Sequence, residues 1–518
     1  MKFRYNFQGL GLSLIILHLI GVSENAKILA IFPFPGPSQY ILVKPYLKTL
    51  ADRGHEMTVI NAYPSNDNGK NYRDIPVMEA HEIQKDYMAG AVLERNLWSG
   101  LTFTSDLFYN VTRAVLRNPQ VQDLIAKETF DLAIIEAVNT DALYSLGPHF
   151  GVPIIGVSSF GNDIIIDDVM GNPTSLAYSP SMNTGFTHQM SYTERLQNVV
   201  VQMLELLHNR CIHLPRQQNL LNSYMPHISE SVESMRTNIS LYLLNQHFSL
   251  SHAKPQVPNM IEVGGFQIPS QIKPLPKEIR SIIDHSPNDI IYFSMGSNVK
   301  SKDFPSQILQ MFNKVFSQLP YTVLWKFENP ELPGKPSNVH INPWFPQTDI
   351  LAEEKVKLFI SHGGLLSTFE AVHYGKPILG LPIFFDQNLN VNNAKEKGFA
   401  LRLNVDTLTE QQFKNSILEM MENARYSVKA KEISKRYHDQ PVKPMDLAIY
   451  WTEYVLRHNG ALHLRSPAQK MNFLKSNSID TIGILVLSVL FVLYLGVKIL
   501  CKICKLLCAG RAKKEKMN

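Results

Sequence analysis

The 518-residue chain has only four cysteines, and Cys211 is the single one outside the C-terminal tail. No intrachain disulfide can therefore form in the body, and a packed apolar core must supply its stability. Cys501, Cys504 and Cys508 have loosely metal-like spacing but no accompanying histidine, which favours palmitoylation or no role. A basic surplus is missing too. The net charge is +5, but from Lys498 onward seven basic residues and one acidic carry +6, which leaves −1 for residues 1–497. The body thus has no electrostatic footprint for nucleic acid. There is no G-x-G-x-x-G, so a dinucleotide site is unsupported, and no low-complexity segment. No carboxylate cluster or His/Cys set resembles a metal site, so neither a metal nor another cofactor is expected.

Long apolar runs occur only at the two ends. Lys2 and Arg4 precede an apolar core, Gly9–Val22, and Gly21-Val22-Ser23 is a small-x-small cleavage site, so residues 1–23 read as a signal peptide. Thr481–Val497 is an uncharged apolar run that reaches bilayer length when extended through Leu500. The lysines and arginine that follow place the C-terminus in the cytosol by the positive-inside rule, giving a single-pass type I topology with a lumenal body. Lys514 and Lys516, fifth and third from the end, resemble a dilysine retrieval signal of endoplasmic-reticulum membrane proteins. Two sequons, at Asn110 and Asn238, suit lumenal exposure.

Between these ends the chain alternates strands and helices. Lys27–Phe32, Glu56–Asn61, Phe130–Glu136, Val152–Val157 and Asn238–Asn245 read as strands, with a rigid loop at Pro33–Gln39 and a helix at Tyr40–Asp52. Residues 63–119 read as irregular and aromatic-rich. Pro255 and Pro258 punctuate a linker, and a second set of strands begins at Asp289–Ser294. This is an α/β pattern of two doubly wound halves. The expected divisions are 24–265, 266–445, helices and a membrane-proximal segment at 446–478, a membrane helix at 479–500 and a basic tail at 501–518.

The most informative stretch is Trp344–Gln387. Val356–Ser361 is a buried strand, His362-Gly363-Gly364 a turn, and Leu365–Tyr374 has helical spacing, with Pro377–Pro382 as the next strand and Asp386-Gln387 at its end. A glycine pair between strand and helix leaves the helix N-terminus open to an anion, most often a phosphate. Trp344-Phe-Pro-Gln347, Ser-His-Gly-Gly, Ser367, Glu370, Gly375, Pro377, Pro382 and Asp386-Gln387 together resemble the signature of the UDP-glycosyltransferases, and of an animal member of the kind found in insects.

That resemblance implies a GT-B arrangement of two Rossmann-like domains plus a C-terminal transmembrane helix. Its partners would be a UDP-sugar, a small lipophilic acceptor and the lipid bilayer, with a possible homo-oligomer and no nucleic acid. The reaction it implies is inverting transfer of a hexose, with glucose favoured, as in detoxification and conjugation. It also implies site roles. Trp344 would stack on uracil and Gln347 bind base or ribose. Glu370 would take the ribose hydroxyls, while Ser297, His362, Gly363, Gly364 and Ser367 would hold the diphosphate. Asp386 and Gln387 would read the sugar.

The acceptor side departs from the pattern. Relatives carry a histidine directly after a serine in the loop following the first strand, as general base, and an aspartate near the end of the strand at 130–136 to orient it. Here Ser38 is followed by Gln39, and Glu136 stands in the aspartate's place. A neutral amide has no basic site near physiological pH. Three outcomes stay open: Glu136 accepts the proton from an easily ionised or already nucleophilic acceptor, water or the acceptor's own acidity suffices, or the chain is a UDP-sugar- or lipophile-binding protein with impaired catalysis.

Overall fold

The computed structural model describes residues 25–65, 69–90 and 96–515. The signal-peptide reading and the last residues of the basic tail lie outside them.

Seven strands in residues 25–265 are short, almost uninterrupted apolar runs, as expected for parallel strands covered on both faces. They are β1 (Lys27–Phe32), β2 (Glu56–Asn61), β3 (Tyr72–Pro76), β4 (Leu132–Glu136), β5 (Ile154–Ser158), β6 (Leu241–Leu244) and β7 (Met260–Glu262). All pair in parallel, in the order β3-β2-β1-β4-β5-β6-β7. One face packs Leu29, Ile31, Ala133 and Ile135 against helices; the other packs Ile28, Ala30, Leu132 and Ile134.

A second parallel sheet contains β8 (Ile290–Ser294), β9 (Thr322–Lys326), β10 (Val339–Asn342), β11 (Val356–Ser361), β12 (Ile378–Gly380) and β13 (Ala400–Arg402), ordered β10-β9-β8-β11-β12-β13. Its core is aromatic: Phe293 stacks on Trp325 at 4.9 Å, and Tyr292 on Phe359 at 5.2 Å. Each such fully buried ring contributes about 1.5–3 kcal/mol relative to exposure. In each sheet the strand order reverses once, between β1 and β4 and between β8 and β11. Ligands of open α/β sheets bind at that point, outside the carboxyl ends of the strands.

The helices that matter for the site are α1 (Pro37–Asp52), α2 (Leu97–Arg117), α3 (Tyr192–His208), α4 (Gln347–Ala352), α5 (Leu365–His373), α6 (Gln387–Glu396) and α7 (Pro444–Arg457). Helix α1 starts three residues earlier than the sequence suggests, because proline is tolerated in a first helical turn, so Gln39 sits on the helix and not in the preceding loop. Residues 63–119 are not irregular. They hold β3, a helix at Glu79–Gly90 and α2, whose Leu107, Phe108, Val111, Ala114 and Val115 bury one face. Asp386 does not end a strand; it immediately precedes α6. Helix α7 returns to the first sheet: Ala448 and Ile449 join its core, Arg53 pairs with Glu453 at 2.6 Å, and Tyr46 meets Thr452 at 2.5 Å.

Residues 466–518 form a separate unit. It contains a 37-residue helix, Ile479–Glu515, of which Ile479–Leu507 is long and apolar enough to cross a membrane.

Candidate functional site

A cleft of about 3760 Å³ is lined from both sheets, by residues at the carboxyl ends of their strands. Phe34 and Gln39 follow β1, Ala137 and Asp141 follow β4, Gly296 and Ser297 follow β8, and His362 and Gly364 follow β11, so both reversal points open into it.

On the second-sheet side, His362 is wedged between two turns. A methyl group on Gly296 would lie 2.4 Å from His362 Cε1, and Gly296 has φ +80°, so both space and backbone demand glycine there. Burial, and secondarily the charge of Lys326, pull the imidazole down to about 4, so it is neutral around pH 7. Gly363 does not line the cleft. It has φ +81°, and a Cβ would meet Val391 of α6 at 2.2 Å, so this glycine lets α6 approach the turn, where Asn390 Nδ2 donates to the Gly363 carbonyl at 3.0 Å. Helix α5 then begins at Leu365 with no side chain capping its first N–H groups, which leaves donors facing the turn.

Three polar side chains interlock behind it. Gln347 Nε2 donates to Ser367 Oγ at 3.1 Å and Glu370 Oε2 at 2.5 Å, and its Oε1 accepts from Tyr292 at 3.2 Å. Burial raises Glu370 to about 7, against the Gln347 hydrogen bond. Trp344 presents its ring at 58% exposure. Asp386 is raised by burial to about 6 and accepts from Asn390 at 2.7 Å. Gln387 Oε1 is committed to the backbone, accepting from Ile383 and Phe384 at 2.8 and 3.2 Å.

Lys326 was missed in the sequence. It ends β9, donates to the Gly296 carbonyl at 2.9 Å and Glu328 at 2.7 Å, and stands 5.6 Å from the Trp344 ring centroid. Only the strand's register identifies it as a cleft residue; nothing in its local sequence does.

On the first-sheet side, Gln39 is buried, lines the cleft, and accepts from the Ser38 hydroxyl at 2.9 Å. Glu136 is not among the lining residues. It accepts from the Phe34 amide at 3.3 Å, and burial raises it to about 8 despite that bond. Its carboxyl is therefore largely neutral at pH 7.

A network that the sequence did not suggest lies one helical turn from Phe108, whose ring stacks on Phe34 at 5.0 Å. Ser105 Oγ meets His213 Nδ1 at 3.1 Å, and His213 Nε2 meets Asp141 Oδ2 at 2.7 Å. Burial pushes Asp141 up, but the hydrogen bond and charge of His213, with Arg236 at 3.9 Å, outweigh it and hold the carboxyl below its usual range. All three residues line the cleft, and they come from segments more than 30 residues apart, so no local motif reveals them. Among the described residues no group of three or more His, Cys, Asp or Glu could hold a metal. Of the two sequons, Asn238 is exposed in the turn before β6, while Asn110 is half-buried within α2 beside a fully buried Thr112.

Two parallel sheets whose reversal points share a cleft form the GT-B arrangement, and solved structures agree. UDP-glucose:anthocyanidin 3-O-glucosyltransferase in complex with UDP aligns with a TM-score of 0.55 at 15% identity, covering 84% of this chain and 100% of that one. The spinosyn forosaminyltransferase SpnP aligns at 0.57 and 14%, over 84% and 100%. The family model "UDP-glucoronosyl and UDP-glucosyl transferase" matches residues 27–515, and the chain belongs to this family of UDP-glycosyltransferases. UDP-glucosyltransferase 2 of Dactylopius coccus is 34% identical over 93% of this chain and 94% of its own. UDP-glucuronosyltransferase 2A3 of Mus musculus is 28% identical over 92% of each.

Proposed function

We propose that the protein transfers glucose, with inversion, from UDP-glucose to small lipophilic acceptors whose attacking group ionises easily or is already nucleophilic: phenols, thiols, carboxylates or amines. The acceptor heteroatom attacks the anomeric carbon, the bond to the diphosphate oxygen breaks, UDP leaves with the electron pair, and the acceptor's proton, lost before or after attack, goes to water. The observation that carries this reading is the Gln347–Ser367–Glu370 cluster placed behind a turn in which neutral His362 and the open N-terminus of α5 face the cleft. Glu370 suits the ribose hydroxyls, Gln347 the base or ribose, and Trp344 the uracil face. Ser297, His362, Gly364 and the α5 amides suit the diphosphate, with the charge of Lys326 acting on His362 beside them. Asp386 suits a sugar hydroxyl, and Gln387 fixes the turn beside it. The departing charge is then met by fixed dipoles and donors, without a metal.

The acceptor preference rests on Gln39, which cannot take a proton, and on Glu136, whose neutral, buried carboxyl is a poor base at pH 7. The same two residues favour one other reading, a UDP-sugar binder with impaired catalysis. The proposed setting is the endoplasmic-reticulum membrane, with a cleaved signal peptide, a lumenal glycosylated body and a role in conjugating xenobiotics. It is supported by the helix at Ile479–Leu507 and the basic residues after it.

The test is UDP release and conjugate formation by membranes containing the protein, given UDP-glucose and a panel of alcohols, phenols, thiols and amines. Conjugation favouring acidic or amine acceptors supports the transferase reading. No turnover on any acceptor, with UDP-glucose binding that is lost in His362→Ala, establishes the binder.

A further inference from the structure

One residue in the wall of the cleft is unfavourable for local stability on two counts. Phe385 adopts φ +54°, a region that favours glycine and disfavours a bulky side chain. The other described non-glycine residues with positive φ are Asn139, Asn459, Ala461 and Ser478, all small or able to bond their own backbone. The Phe385 ring is also 46% exposed where it lines the cleft. Among the described residues, Trp344 is the only other exposed phenylalanine, tyrosine or tryptophan that does so. The turn around Phe385 is held from several sides. The Gln387 amide donates to the Phe384 carbonyl at 3.4 Å, and Gln387 Oε1 accepts from the Ile383 and Phe384 amides. Asn390 bridges Asp386 and the Gly363 carbonyl. Asn392 Nδ2 of α6 donates to the Gly185 carbonyl at 2.7 Å, in a loop that Glu205 of α3 holds through Asn183 at 2.7 Å. A strained residue so firmly fixed in a cleft wall points to function.

We infer that the Phe385 ring packs against the C–H face of the donor's hexose ring, while Asp386 beside it takes hydroxyls at the sugar's edge. The inference rests on the UDP-sugar reading of the cleft and adds to it a residue that touches the sugar. A pyranose carries hydroxyls around its rim and C–H groups on its faces, and an aromatic ring, negative on its own face, suits the latter. The Asp386 carboxyl is 8% exposed, and its one side-chain bond, from Asn390, leaves lone pairs for hydroxyl donors. Strand order supplies the placement. Trp344 follows β10, His362 follows β11 and Phe385 follows β12, and the sheet runs β10-β9-β8-β11-β12-β13. Along the sheet's carboxyl edge the order is therefore base-stacking ring, diphosphate turn, Phe385, which is the order of base, diphosphate and sugar in the donor. A lipophilic acceptor is the other apolar body for this cleft, but it is assigned to the first-sheet side, whereas Phe385 belongs to the second.

The test uses the full chain in detergent, with calorimetric Kd values for UDP-glucose and for UDP on Phe385→Leu, Phe385→Gly and Phe385→Tyr. Leucine keeps the bulk and the backbone restriction without the ring, and glycine removes the strain. Both are expected to weaken UDP-glucose about fivefold or more and UDP less than about twofold, while tyrosine keeps both affinities within about twofold. The Tm of Phe385→Gly is expected to equal or exceed that of the unmodified chain, because the strain is released. A Tm several degrees lower assigns the ring to packing and overturns the inference. So does an equal loss of UDP and UDP-glucose affinity, which makes the residue a support for the diphosphate site. UDP-glucose affinity unchanged in the leucine and glycine variants overturns it as well, and a raised acceptor KM in the same variants gives the ring to the acceptor. Absence of UDP-glucose binding in the unmodified chain refutes the donor reading itself, an outcome distinct from tight UDP-glucose binding that ignores position 385.

Discussion

Gln347 Nε2 donates to Glu370 Oε2 at 2.5 Å, although the two residues are 23 apart and belong to different helices. The bond ties the start of α4 to the middle of α5, and it offsets part of the effect of burial, which still leaves the carboxyl raised to about 7. Glu370 is therefore poised to ionise within the physiological range, and only the ionised form offers both oxygens to a pair of ribose hydroxyls.

Donor affinity should consequently fall with acidification. UDP-glucose is the right probe, because its diphosphate is fully ionised throughout. Between pH 8 and pH 5.5 its Kd is expected to rise about tenfold, roughly 1.4 kcal/mol, measured by calorimetry. Glu370→Gln should bind more weakly at pH 8 and lose the part of the dependence centred near pH 7, leaving the smaller part that Asp386, raised to about 6, contributes toward pH 5.5. His362, pulled down to about 4, contributes nothing in this window. A pH-independent Kd in the unmodified protein would refute the role given to Glu370.

Glu136 makes a prediction about stability instead of binding. Its folded value, about 8, lies above its ordinary 4.5, so the folded state binds the extra proton. The associated stability is complete below about pH 4.5 and is lost as pH climbs through 8. Glu136→Gln removes the titration and can keep the Phe34 amide bond through its carbonyl oxygen. Its Tm should match that of the unmodified chain near pH 5 and exceed it by several degrees at pH 9. Equal Tm differences at both pH values would contradict a neutral, buried Glu136.

How much of this was legible in the chain follows the range of the interactions. The strand–turn–helix unit at Val356–His373 could be read because its apolar runs, its glycines and its helical spacing are all local. The start of α1 and the helices within residues 63–119 were misread, since proline looked like a loop signal and aromatic residues blurred the helical period. Lys326 and the Ser105–His213–Asp141 network could not be found at all. Each is defined by the sheet register or by contacts between distant segments, and none has a neighbouring residue that announces it.

Gln39 sets the acceptor range. A general base contributes about 10²–10⁴-fold where the attacking group is weakly acidic and little where it is already ionised. Gln39→His should therefore raise turnover on alkyl alcohols by about tenfold or more, and on phenols far less. Because the neutral Glu136 orients an imidazole poorly, the gain should grow from pH 7 to pH 9. Equal gains on both acceptor classes, in parallel kcat measurements, would remove position 39 from the chemistry.

The sequons differ in what surrounds them. Asn238 sits exposed in a turn, its side-chain amide donating to Glu230 at 3.0 Å, although Ser240 of the same sequon is as fully buried as Thr112. Asn110 is half-buried inside a 21-residue helix, and its partner Thr112 is fully buried. A glycan on Asn110 would have to displace the packing of α2 against the first sheet, whereas one on Asn238 meets solvent. Expression in insect cells followed by endoglycosidase treatment should shift the mobility of the unmodified chain by one glycan. Asn238→Gln should abolish that shift, and Asn110→Gln should leave it intact. A full shift surviving Asn238→Gln would mean that α2 accepts the modification before it packs, and that folding in this half of the molecule waits on glycosylation instead of preceding it.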